Sequence, residues 1–302
     1  MLFRSHVYHF DIKDSNILVK KNQHHINTRL IDWGLSIKYD NIHEIPKNIY
    51  KRPFQYNIPF SSIIFNNDFK KRYDEFLYVN PNPHYYQIRE FVVNFIFVWD
   101  DIRGSGHLST IHDIITQFTS KKLPNIKRKK VKKHIIEYGF TYYYIVEYIS
   151  TILHHYTKDG AIDIMSYFNN VFIKNVDIWG FVISYISFYE NLYADYKYLT
   201  YHELLFIKQI KFIIMHFLYQ NPIHVINIHH LVVELTKLNE IVQHFIVDKT
   251  STSNSEANTD TKSNKNNSID GGASKKHNLT YKNNKLTNKN GINLKNHTRK
   301  RR

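Results

Sequence analysis

Cysteine is absent from all 302 residues, which excludes disulfide staples and thiolate metal sites and fits a reducing compartment. Glycine is scarce, nine in all, and the first is Gly34, so no glycine-rich phosphate-binding loop lies upstream of that position. Uncharged apolar runs stay well short of the about twenty residues a membrane span requires. Met1 to Phe10 interleaves Arg4, His6 and His9 with its apolar residues, unlike a secretory signal. The expected location is therefore intracellular, with no membrane partner. Acidic residues are also few, 26 against 41 Lys and Arg, for a net charge of +15. Most of that excess is local. Residues 249–302 hold 13 Lys and Arg against 3 Asp and Glu, so +10 of the charge sits there and +5 on the rest. This Ser-, Thr-, Asn- and Lys-rich segment has too little apolar surface to offset its ordering entropy and is expected to be disordered. It is suited at most to weak, salt-sensitive and non-specific contact with nucleic acid.

What is present begins at residue 9. The run His9-Phe10-Asp11-Ile12-Lys13-Asp14-Ser15-Asn16 is followed, sixteen residues after Asn16, by Asp32-Trp33-Gly34-Leu35-Ser36. Phosphoryl transfer needs a carboxylate near the attacking hydroxyl, a cation for the moving phosphate, and an Asn and an Asp on the metal ions that neutralise its charge. All four residue types occur here in order. Chance produces an H-x-D-x-K-x-x-N in a chain of this composition about one time in a hundred, and the D-x-G-L at hairpin distance lowers that roughly fiftyfold. Ile17 to Val19 and Arg29 to Ile31 flank a polar stretch, Lys20 to Thr28, and predict a two-strand hairpin with a long tip.

These motifs resemble the catalytic and metal loops of the eukaryotic-type protein kinases. The resemblance implies Asp11 as catalytic base, Lys13 as phosphate contact, and Asn16 and Asp32 as Mg²⁺ ligands, with ATP as phosphoryl donor. A Lys two places after the base is the Ser/Thr form, so the implied partner is a protein with a Ser or Thr acceptor. A third match, Val176-Asp177-Ile178-Trp179-Gly180-Phe181, resembles the opening of the kinase lobe's central helix, whose Asp ties down the backbone of the catalytic loop. Phe181 to Tyr189 follows, apolar nearly all round, as a helix buried on every side.

The departures carry their own expectations. Phe10 stands where most kinases have the Arg that pairs with a phosphorylated activation loop, so control by that route is not expected. Trp33 takes the place of the metal-loop Phe and keeps a bulky ring for packing. In Arg52-Pro53-Phe54-Gln55-Tyr56-Asn57-Ile58-Pro59-Phe60 only Pro59 matches the end of the activation segment, and Phe60 replaces its Glu. Eight residues precede His9, too few for a kinase N-terminal lobe. Three explanations stay open: the downstream piece of an interrupted kinase gene, a half that docks with a separately encoded N-lobe, or a kinase-like interaction module without turnover. The use of Asn, Lys, Ile, Tyr and Phe, with a large insertion, is similar in style to divergent kinases of large DNA viruses of protists, which would place the chain in host cytoplasm or virion.

The fold expected is mainly α within the α+β class: a kinase-like C-terminal lobe over 1–248, a β-hairpin at the active site, a helical insertion over 61–174 and a disordered tail over 249–302. Asp32 and Asp177 are 145 positions apart, where ordinary kinases need a few tens. Within the insertion, His84–Ile102, Leu108–Phe118 and Val131–His155 carry apolar residues at helical spacing, and Lys121 to Lys133 is a basic run. Tyr201–Tyr219 and Ile223–Phe245 predict closing helices around an Asn221-Pro222 turn. The paired histidines at 24–25, 154–155 and 229–230 point apart on a helix and are not expected to bind metal.

Overall fold

The computed structural model describes residues 6–22, 25–40, 43–119, 139–194 and 199–257. The basic run over 121–133 and nearly all of the 249–302 segment lie outside them. The structure is mainly helical, with six short strands in three antiparallel pairs among the described residues. Val7–Tyr8 (β1) pairs with Ile37–Lys38 (β4), and between them Ile17–Lys21 (β2) pairs with Ile26–Leu30 (β3). The hairpin differs from expectation in having five-residue strands and a tip reduced to Asn22–His25, closed by Asn22 N–H donating to His25 O at 2.8 Å. Lys20, Lys21, Asn27 and Thr28 read as loop because they are polar, yet a ribbon solvated on both faces accommodates polar side chains without penalty.

Helices follow from Asn67 onward. Asn67–Val79 (α1) begins where Asn66 accepts the Phe69 N–H at 2.8 Å, and it buries Phe69, Tyr73 and Leu77 along one face. Tyr85–Arg103 (α2) buries Ile88, Val92, Phe95, Ile96 and Trp99 and stops at Gly104, whose φ of +77° suits glycine. Leu108–Thr119 (α3) and Gly139–Tyr156 (α4) complete the inserted helices; residues 131–138 of the expected third helix lie outside the described set. A two-residue pair, Thr157–Lys158 (β5) with Ala161–Ile162 (β6), leads to Ile164–Tyr167 (α5). That helix continues through a π-helical turn, Phe168–Phe172, into Ile173–Ile183 (α6). Ile186–Ala194 (α7), Tyr201–Ile214 (α8, extended by a π turn to Tyr219) and Ile228–Ala257 (α9) complete the helices among the described residues.

Two corrections concern the central helix. Asp177 lies inside a helical run that begins at Ile164, not at a helix opening. The segment Phe181–Tyr189 is not one helix buried on every side: α6 ends at Ile183, and Phe181 and Phe188 are 41% and 58% exposed. Ser184 ends it, because its hydroxyl donates to Phe181 O at 2.6 Å and Tyr185 N–H turns to Val182 O, tightening the last turn. By length and composition the stretch Ile164–Leu192 is also long and apolar enough to cross a membrane, but 61% of its most apolar 18-residue window is buried inside the fold, as in a core helix.

The last helix starts later than its apolar spacing indicates. Residues 223–227 are instead clamped by Asn175, whose Nδ2 donates to His224 O and whose Oδ1 accepts Ile226 N–H, both at 2.9 Å. Asn227 then caps α9 by accepting His230 N–H at 3.0 Å. This helix runs on through Ala257, past the boundary read at residue 248.

The helices α1 to α4 share one hydrophobic core with the rest. Buried Phe10 and Ile37 from the loop end, Phe60 to Phe65, the inner faces of α1 to α4, and Trp179, Ile214 and Leu231 form a single cluster. Phe60 meets Tyr148, Trp179 and Tyr219 at ring separations of 5.5, 5.3 and 5.1 Å, so an aromatic cluster surrounds position 60.

Candidate active site

Residues 9 to 16 form an irregular loop between β1 and β2, ended by a 3₁₀ turn at Asp14–Asn16. Its first residues are fixed from a distance. The Asp177 carboxylate accepts His9 N–H at 2.9 and 3.1 Å and Phe10 N–H at 3.0 Å, across 168 and 167 positions of sequence. Burial raises the Asp177 pKa and the two backbone donors oppose that rise. Phe10 sits at φ +60°, a costly conformation for an aromatic residue, and Asp32 sits at φ +62°, where Asp is better tolerated.

Asp11, Lys13 and Asn16 converge. Lys13 Nζ lies 3.0 Å from Asp11 Oδ2, and Asn16 Nδ2 donates to Asp11 O at 2.9 Å and to Asp11 Oδ2 at 3.0 Å. Asp11 and Asn16 are buried, while Lys13 is half-buried. The hairpin register sets Ile17 opposite Leu30, and Ile31 N–H donates to Asn16 O at 3.0 Å, so Asp32 follows directly after the residue bound to Asn16. Asp32 itself is exposed and precedes the 3₁₀ turn Trp33–Leu35. His9 joins the same corner: its Nε2 meets Ile31 O at 3.0 Å, and its ring lies 4.6 Å from that of Trp33. Trp33 keeps the expected packing contact but remains 40% exposed.

No family model, curated protein or solved structure matches the chain.

Two oxygen donors remain open to a hard cation. Asn16 donates from Nδ2 to Asp11, and among the described residues its Oδ1 and the Asp32 carboxylate make no hydrogen bond. One amide oxygen and one carboxylate, joined through adjacent backbone, are the oxygen donors that Mg²⁺ accepts alongside phosphate and water. The site is buried at Asp11, Asn16 and Asn57 and exposed at Asp32. Two clefts, of about 360 and 380 Å³, lie around α8 and the start of α9 and contain none of these residues.

Four contributors escaped the sequence reading. Asn57, fully buried, donates from Nδ2 to Asp11 Oδ1 at 2.7 Å and to Ile12 O at 3.3 Å. Arg52 donates to Phe10 O at 3.2 Å and Leu35 O at 2.9 Å. Gly180 lets α6 pass against the loop, since a Cβ there would fall 2.6 Å from Ile12 O. His107, from the turn between α2 and α3, donates its N–H to Phe54 O at 2.8 Å and sets its ring 5.3 Å from Tyr56. Burial and the nearby Lys13 charge lower its pKa, against the pull of Asp11. Through His107 the inserted helices reach the segment that carries Arg52 and Asn57. Tyr56 is pushed up to about 12 by burial and the charges of Asp14, Asp11 and Glu190, so its phenol stays protonated and is no base at neutral pH. Asn57 and Arg52 both lie in the 52–60 segment, whose residues have no periodicity to reveal their partners.

Proposed function

We propose that this chain is the catalytic lobe of a protein serine/threonine kinase, transferring the ATP γ-phosphoryl group to a Ser or Thr hydroxyl. The observation that carries the reading is the contact of Asp177 with the two N–H groups immediately before Asp11. Asp177 lies 168 positions from His9 in sequence, and its carboxylate lands on the loop that holds Asp11. When bound, Mg²⁺ would be held by Asn16 and Asp32 and would neutralise charge on the phosphate oxygens of ATP.

The chain's own groups divide the remaining work. Lys13 and Asn16 bind one oxygen of Asp11 and Asn57 binds the other, which fixes the plane of the carboxylate. Asp11 orients the acceptor hydroxyl and takes its proton as the oxygen attacks. Lys13 places a positive charge beside that point, available to the transferred group. On the hairpin and metal turn, Leu18, Val19, Ile26, Ile31, Trp33 and Leu35 expose apolar side chains. Under this reading a nucleotide base and a covering lobe take their places against some of them. The same exposed residues favour a second reading, a kinase-like interaction module that binds a protein partner there and does not turn over.

The test is the melting temperature of the full chain with Mg-ATP. A ligand at ten times its Kd stabilises by about 1.4 kcal/mol, a rise of several degrees in a chain of this size. The wild type is expected to show that rise and Asp32→Ala to show none. Asp11→Asn is expected to keep the rise and lose transfer to a Ser/Thr acceptor protein by about 10²–10⁴-fold. No rise in the wild type, or undiminished transfer by Asp11→Asn, would overturn the kinase reading. Absence of both the rise and transfer would favour the interaction module.

A further inference from the structure

Arg52 is a buried guanidinium, 7% exposed, with no ion pair among the described residues. Its two terminal nitrogens serve two different loops. Nη1 donates to Phe10 O at 3.2 Å, the carbonyl directly before Asp11, and Nη2 donates to Leu35 O at 2.9 Å, the last residue of the turn that follows Asp32. The guanidinium carbon stands 4.9 Å from the centroid of the Phe10 ring. Burial lowers the Arg52 pKa and the charge of Asp11 opposes that change.

Three physical points give this contact a role. A buried cation that binds only carbonyls is poor value for stability, since desolvation is not offset by a paired carboxylate. The planar fork spans two acceptors in a fixed geometry, which the single ammonium of Lys does not reproduce. Phe10 supplies a ring face to the guanidinium where a cationic residue at position 10 would repel it. The left-handed backbone of Phe10 turns its carbonyl to this donor while its N–H goes to Asp177.

We infer that Arg52 is a built-in latch that joins the catalytic loop to the metal turn, setting Asp11 and Asp32 relative to one another without a phosphorylated side chain. The inference rests on the phosphoryl-transfer reading and adds its regulation: the site is assembled in the unmodified chain. Arg52 is a positioning residue in this scheme. It touches neither acceptor nor nucleotide and acts through Phe10 O and Leu35 O.

Two measurements on the full chain test it, using Arg52→Lys and Arg52→Met. The first is backbone amide exchange without metal. Phe10 and Ser36 N–H, bonded to Asp177 and to Trp33 O, are expected to exchange about tenfold faster or more in both variants, while Val182 and Ile183 in α6 keep wild-type rates. Unchanged protection of Phe10 and Ser36 in folded variants would overturn the latch, whatever the metal does. The second is Mn²⁺ titration, followed by paramagnetic broadening of the Trp33 indole N–H signal against those of buried Trp99 and Trp179. A residue that orients metal ligands is expected to change affinity by about 10–100-fold, and phosphatase treatment of the wild type is expected to change nothing. Wild-type Mn²⁺ affinity in Arg52→Met, or affinity lost on phosphatase treatment, would overturn the inference. Absence of Mn²⁺ broadening in the wild type would instead remove the metal site and the phosphoryl-transfer reading with it, leaving the exchange result to decide the latch.

Discussion

Asp177→Ala is expected to lower the unfolding free energy by about 2–5 kcal/mol, because each buried N–H left without an acceptor costs about 1–3 kcal/mol and two depend on this carboxylate. The loss should appear in urea denaturation as a shifted midpoint with an unchanged slope. In amide exchange it should be concentrated at His9 and Phe10. Asp177→Asn retains one oxygen but turns an amide donor toward donors, so a smaller loss is expected. The pair also carries a pH signature. Burial raises the Asp177 pKa above its ordinary 3.8, so the folded chain holds that proton more tightly than the unfolded one. The resulting stability is fully present below pH 3.8 and is lost as the pH rises through the raised value. Wild-type stability relative to Asp177→Asn should therefore be greatest at acid pH and decline across that window. A flat difference between the two curves would show that the carboxylate is not perturbed by its burial.

Gly180→Ala sets two effects against each other, and their magnitudes decide the outcome. Alanine in a helix interior gains about 1 kcal/mol over glycine. The added Cβ, however, would stand 2.6 Å from Ile12 O, 2.8 Å from Ile12 Cβ and 3.2 Å from Asn57 O. Two of these are backbone atoms, in segments already tied to Asp177, Trp179 and Asp11, so neither can withdraw without breaking hydrogen bonds. Overpacking of this kind costs about 1–3 kcal/mol beyond the propensity gain. The expected net result is destabilisation, together with displacement of Ile12 between Asp11 and Lys13 and weaker phosphoryl transfer wherever transfer is measured. A variant as stable as the wild type would mean that α6 and the loop separate easily and that the close approach is incidental.

Both substitutions fall on one short stretch of α6, which attaches to the loops at successive points. Asp177 takes the N–H groups of His9 and Phe10, the Trp179 indole N–H donates to Tyr56 O at 3.0 Å, and Gly180 admits Ile12. A buried helix makes a rigid base for such contacts, because its neighbours in the core hold every turn. The site needs that rigidity, since Asp11 and Asp32 sit on irregular backbone with few bonds of its own.

The chain itself determined whatever depends on spacing within a few residues. The order of Asp11, Lys13, Asn16 and Asp32, the presence of the hairpin, and the apolar faces of α2, α3 and α8 are local patterns, and side chains three or four residues apart on a helix must share a face. Polar strand residues hid the true length of the hairpin, and a run of apolar residues hid the break at Ser184, because composition reports solvent exposure and not backbone hydrogen bonding. Only the tertiary structure decided that Arg52, Asn57 and Gly180 meet the loop at Phe10 to Ile12, and that His107 meets Phe54 and Tyr56 beside it. These contacts join residues 42 to 168 positions apart, where no period or spacing carries information. They exist because one shared core packs the helices and the loop segments closely enough to bring these residues together.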